Sequence, residues 1–124
     1  MSQFFILIVE DELNQRIILE EALRTVTPQW SVRSVASACD ALALLDHYIP
    51  DLIITDYSMP MMTGIDLIQH IRQRNIHTHI ILISASSESE LSEATDQLHI
   101  DMYLTKPVPL TSLRQAASVT LGLS

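Results

Sequence analysis

Apolar residues along this chain alternate between short unbroken runs and longer stretches with helical spacing. The runs fall at residues 4–9, 31–35, 52–55, 80–83 and 101–104. Between and after them, apolar positions recur every three or four residues. The stretches are 13–26 (Leu13, Ile17, Leu23), 38–48 (Ala41, Leu42, Leu45), 64–73 (Ile65, Ile68, Ile71), 88–98 (Leu91, Ala94, Leu98) and 109–121 (Leu110, Leu113, Ala117, Leu121). Runs of Ile, Leu and Val without alternation suit a parallel sheet covered on both faces. The repeated strand–helix order predicts one doubly wound α/β domain with five strands and five helices. Local punctuation agrees. Pro28 stops the first helix, Pro50 precedes the third strand, Ser86 or Ser87 caps the 88–98 helix, and Pro109 suits the first turn of the last.

Four of the runs end on polar residues that a core does not need. Phe4–Val9 meets Glu10 and Asp11, Leu52–Thr55 meets Asp56, Ile80–Ile83 meets Ser84, and Met102–Thr105 meets Lys106. In open α/β sheets, ligands bind in the crevice beyond the carboxyl ends of the strands. Three carboxylates, a hydroxyl and an ammonium at one sheet edge describe a site for a cation and an anionic group.

Composition narrows this further. A chain of 124 residues is the size of a single domain, expected to span 1–124 with no effector domain. A net charge of −8 argues against direct nucleic-acid binding. No apolar stretch nears a membrane span and the N-terminus lacks the basic flank and small-residue cleavage pattern of a signal peptide, so a cytoplasmic location is expected. Lys106 is the single lysine among seven basic residues, which weakens its reading as mere surface decoration. Cys39 reads as a small packed side chain.

Two like charges about 4 Å apart repel by roughly 4 kcal/mol at an effective dielectric near 20. Glu10, Asp11 and Asp56 therefore need either a proton or a cation among them. With no His or Cys in the cluster, the hard oxygen ligands point to Mg²⁺ rather than zinc. A carboxylate at Asp56 can attack phosphorus and become an acyl phosphate. Lys106 supplies a point charge and Ser84 a hydroxyl, while the backbone N–H groups of Tyr57 and Ala85 serve the remaining oxygens.

These residues resemble the receiver domains of two-component response regulators over the whole chain. The resemblance rests on Glu10-Asp11-Glu12-x-x-x-Arg16, Asp56-x-x-Met59-Pro60-x-Met62-x-Gly64, Ile83-Ser84-Ala85 and Tyr103-Leu104-Thr105-Lys106-Pro107, in order and at strand ends. It implies a flavodoxin-like sheet of order 2-1-3-4-5. It implies that Asp56 accepts a phosphoryl group from a phosphohistidine, on a sensor histidine kinase or a histidine phosphotransfer protein. Asp11, Asp56 and the Ser58 carbonyl would bind Mg²⁺, with Glu10 helping through water. Ser84 and Tyr103 would move inward on phosphorylation, Lys106 would pair with the phosphate, and the bond to Pro107 is commonly cis in such domains. The chain would then be a signalling phosphoacceptor that assists only its own phosphorylation and dephosphorylation.

Two departures bear on turns: His99 and Ala38 stand where the family usually has glycine. Ser58 and Ser86 lie two residues beyond Asp56 and Ser84, where the family tunes phosphate lifetime. His47, His70, His77, His79 and His99 show no ligand spacing and read as surface residues. Met59, Met61 and Met62 read as loop packing, and Trp30 as a partly buried anchor. The 88–98 helix carries Glu88, Glu90, Glu93 and Asp96 with no basic residue. The face formed by this helix, the last strand and the last helix is expected to meet a heterologous downstream protein rather than a second copy. A haloacid-dehalogenase phosphatase would need Asp-x-Asp, which neither Asp11 nor Asp56 begins. A flavodoxin would find its phosphate repelled by Glu10-Asp11-Glu12. The remaining alternative is a pseudo-receiver, an interaction module that does not use phosphate.

Overall fold

The computed structural model describes residues 3–85 and 97–122. Its elements are β1 (Phe4–Val9), α1 (Leu13–Arg24), β2 (Trp30–Val35), α2 (Ala38–Leu45), β3 (Leu52–Asp56), α3 (Gly64–Gln73), β4 (His79–Ser84), β5 (Met102–Thr105) and α4 (Leu110–Thr120). The 88–98 helix falls almost wholly outside the described residues; Gln97 and Leu98 are helical. Ser86, Ser87 and the acidic residues of that stretch lie outside them too.

All five strands pair in parallel, in the order β2-β1-β3-β4-β5. The strands are apolar throughout because both sheet faces are covered. Along β1, Leu7 and Val9 join one core with Ala41, Leu45, Leu67, Ile68 and Ile71 of α2 and α3. Ile6 and Ile8 join the other, with Leu23 of α1 and Leu113 and Ala117 of α4. Successive side chains of a strand point to opposite faces, so one run feeds two cores.

Local chemistry sets the helix ends. Glu12 caps α1, its carboxylate accepting the Asn14 and Gln15 N–H groups. Ser37 caps α2, and Thr63 with Asp66 forms a capping box on α3. Pro109 precedes α4 with extended backbone, φ −61° and ψ 140°, so it stands one residue ahead of the first turn expected for it. Helix α2 stops at Leu45, earlier than its apolar spacing suggested, because His47 and Tyr48 N–H groups turn back onto Leu44 O. Trp30 is more buried than expected, at 4% exposure, and its Nε1 has no partner among the described residues.

The two departures at turns have different outcomes. Ala38 simply opens α2, buried behind the Ser37 cap. His99 takes φ 56°, the left-handed conformation that glycine adopts at little cost. Arg72 braces this turn. Its Nε donates to Leu98 O at 2.8 Å and its NH2 to His99 O at 3.0 Å, while NH1 reaches Ile76 O and Thr78 O at 2.8 and 2.9 Å.

Candidate functional site

Because β1, β3, β4 and β5 run the same way, their carboxyl ends meet on one edge. Glu10 continues the β1 ladder, its N–H donating to Val35 O at 3.1 Å. Its side chain is buried, at 4% exposure, and accepts the Glu12 N–H at 3.1 Å. Glu12 is occupied in capping α1, so Glu10 and Asp11 are not needed for that task. Arg16 braces the turn by donating to Glu10 O at 3.0 Å.

Asp56 ends β3 and is also buried. Lys106 Nζ lies 3.0 Å from its Oδ2, with the lysine side chain 40% exposed and the aspartate 7%. The lysine therefore remains open to an incoming anion while holding the carboxylate. Exposed Asp11 completes the cluster: one carboxylate oxygen each from Glu10, Asp11 and Asp56 lies within 4.8 Å of the others. Burial, chiefly, raises the Glu10 pKa to about 7. The hydrogen bond that protonated Glu10 donates to Asp11 and the charge of Asp56 add to the rise, against the Glu12 N–H and Lys106. Such a triad favours a proton or a cation, and its all-oxygen donor set fits Mg²⁺.

Ser84 ends β4 with its side chain buried, and Ala85 follows it on the exposed edge. The Lys106 N–H donates to Ser84 O at 2.8 Å, which seats the lysine beside the serine. The Lys106–Pro107 bond is cis, as the motif suggested. Tyr103, opposite Leu82 on β4, is half-buried against the α2/α3 core.

One expectation is corrected. The Tyr57 N–H was expected to serve an anion, but it donates to Ile83 O at 2.7 Å as part of the β3–β4 ladder. The Tyr57 carbonyl is engaged too, accepting the Gly64 N–H at 2.8 Å. The next amide, that of exposed Ser58, donates to no protein group among the described residues.

Gly64 explains why α3 starts so close to the site. A Cβ there would stand 2.4 Å from Asp56 O and 2.9 Å from Leu82. In the sequence Gly64 was visible as the end of the Asp56-x-x-Met59-Pro60-x-Met62-x-Gly64 motif. The site opens into a cavity of about 830 Å³ with a polar floor of Glu10, Asp11, Asp56 and Lys106 and apolar walls at Ile18 and Leu110.

Comparison with known proteins agrees with this geometry. The family model of the response regulator receiver domain matches residues 6–118. The chain is 38% identical over 112 residues to the Regulator of RpoS of Escherichia coli, covering 89% of this chain and 32% of that protein. It is 33% identical over 123 residues to the response regulator protein PilR of Pseudomonas aeruginosa, covering 99% of this chain and 27% of the other. It thus spans about a third or less of these relatives. Among solved structures, the signal receiver domain of a Luxo repressor protein from Vibrio parahaemolyticus superimposes with a TM-score of 0.88 at 25% identity. That match covers 97% of this chain and 91% of the other. The N-terminal domain of a Wolinella succinogenes protein gives 0.85 at 28% identity, covering 97% and 95%.

Proposed function

The chain belongs to the response regulator receiver domain family, and on that premise we propose that Asp56 is its phosphoacceptor. One observation carries this reading: a buried carboxylate at a strand end, 3.0 Å from the only lysine and within 4.8 Å of two further acids. The donor is a phosphohistidine on a sensor histidine kinase or a histidine phosphotransfer protein. An Asp56 oxygen attacks phosphorus, and the P–N bond breaks with its electron pair passing to the imidazole nitrogen, which takes up a proton. The new P–O bond leaves an aspartyl phosphate.

The other residues position and neutralise. Glu10, Asp11, Asp56 and the Ser58 carbonyl would hold Mg²⁺, which when bound neutralises charge on the phosphoryl oxygens. Lys106 exchanges its contact with Asp56 for one with the phosphate. The amides of Ser58 and Ala85 and the Ser84 hydroxyl meet the remaining oxygens. Drawing Ser84 toward the phosphate lets Tyr103 pack further inward, a population shift that β5 carries to a downstream protein partner. The protein acts in this way as a cytoplasmic signalling phosphoacceptor, not as an enzyme on other substrates; no helix among the described residues is long and apolar enough to cross a membrane.

Incubation with acetyl phosphate and Mg²⁺, followed by intact-mass measurement, tests the assignment. One phosphoryl group should appear on the wild-type chain and none on Asp56→Asn. Labelling that persists in Asp56→Asn moves the site elsewhere. An unlabelled wild type favours the pseudo-receiver.

A further inference from the structure

At the opposite end of the sheet from Asp56 lies a second cavity, of about 320 Å³, that phosphoryl transfer does not use. His77, His79, His99 and Asp101 line it, beside Thr78 and Arg72. Spacing in the sequence scatters the histidines over the surface, but the pairing of β4 with β5 gathers three of the five here.

The cavity is built from two short arms. His77-Thr78-His79 leads into β4. Thr78 is buried, its hydroxyl donating to Pro50 O at 2.7 Å, while the flanking histidines are exposed. His99-Ile100-Asp101 leads into β5 in the same manner, with Ile100 in the core between two exposed residues. Side chains two apart on an extended segment face the same side, so His77 and His79 turn outward together, while His99 meets the cavity from a left-handed turn.

Asp101 is the fixed member. Its N–H donates to Ile80 O at 2.9 Å, and its Oδ2 accepts the Ile80 N–H at 2.8 Å. Its Oδ1 lies 3.1 Å from His79 Nδ1. A carboxylate holding the Nδ1 proton orients the ring and leaves Nε2 as a lone-pair donor, the arrangement usual for metal-binding histidines. Arg72 directs its donors at backbone carbonyls instead of into the cavity.

We propose that His77, His79 and His99, with Asp101 orienting the His79 ring, form a site for a borderline divalent transition metal of the Zn²⁺ class. Three imidazole nitrogens suit such an ion and do not suit Mg²⁺. Among the described residues, only the Glu10, Asp11 and Asp56 triad already has all its ligand atoms within 4.8 Å. Binding at the histidine site closes it by rotation of the exposed His77 and His99 rings onto His79.

The test is a Zn²⁺ titration in saturating Mg²⁺, followed by competition with a chromogenic chelator. One zinc per chain is expected, unaffected by Asp11→Asn. His77→Gln and His99→Asn should each weaken binding by about tenfold or more, on the scale seen for perturbed metal sites. Asparagine is chosen at position 99 because it tolerates the left-handed backbone. Absence of zinc uptake overturns the proposal. So does uptake that survives in the double variant His77→Gln/His99→Asn, or uptake lost in Asp11→Asn, which would place the ion among the acids.

Discussion

Replacing Arg72 with methionine should cost this domain about 4 kcal/mol of stability without altering its phosphoacceptor chemistry. The arginine stem is half-buried, and its guanidinium makes four hydrogen bonds to backbone carbonyls, of Ile76, Thr78, Leu98 and His99. These carbonyls belong to the exit of α3, the approach to β4 and the turn before β5, so one side chain ties three segments. Hydrogen bonds to charged groups contribute roughly 1.5–3 kcal/mol each. Carbonyls near the surface recover part of that from water once the donor is gone, which brings the net to about 1 kcal/mol per bond. Methionine keeps much of the apolar stem, so the loss reports the bonds more than the packing. Domains of this kind are stable by only about 5–15 kcal/mol, so the change is large. Urea unfolding followed by circular dichroism reads it as a lower midpoint at unchanged slope. Arg72→Lys should recover less than half, because an ammonium cannot reproduce the planar fork. A loss below about 1 kcal/mol in Arg72→Met, or full rescue by lysine, would refute the reasoning. Labelling of Asp56 in folded Arg72→Met should match wild type, since the clamp sits at the other end of the sheet.

Mg²⁺ should raise the melting temperature in a concentration-dependent way that chelator reverses, and Asp11→Ala should abolish the shift while stabilising the metal-free protein. Without metal, stability should fall as pH rises from 4.5 to about 7. The folded state retains the Glu10 proton in that window and the unfolded chain does not. That gap corresponds to about 3 kcal/mol, and Glu10→Gln should flatten the slope in chelator-treated samples. Gly64→Ala should destabilise by roughly 2 kcal/mol and slow acetyl phosphate labelling, because its Cβ must push back the backbone of Asp56; a variant with wild-type labelling and midpoint would contradict the close approach.

Much of this protein is written locally in its sequence. A parallel strand buried on both faces must be an unbroken apolar run, so its end is marked by the first polar residue. That is why Glu10, Asp11, Asp56, Ser84 and Lys106 were legible as strand-end residues without coordinates, and why the stretches 13–26, 64–73 and 109–121 foretold α1, α3 and α4. Other features depend on which segments become neighbours. The Tyr57 amide looked available until the β3–β4 register committed it to Ile83. Arg72 carries no local signal of its clamp, because its four partners lie in turns whose positions only the sheet defines. The histidines at 77, 79 and 99 were scattered by count and became a cluster once β4 and β5 lay side by side. Hydrophobic periodicity depends on residues a few positions apart, whereas hydrogen-bond partners and shared cavities depend on register between distant segments, and register is set only when the whole sheet packs.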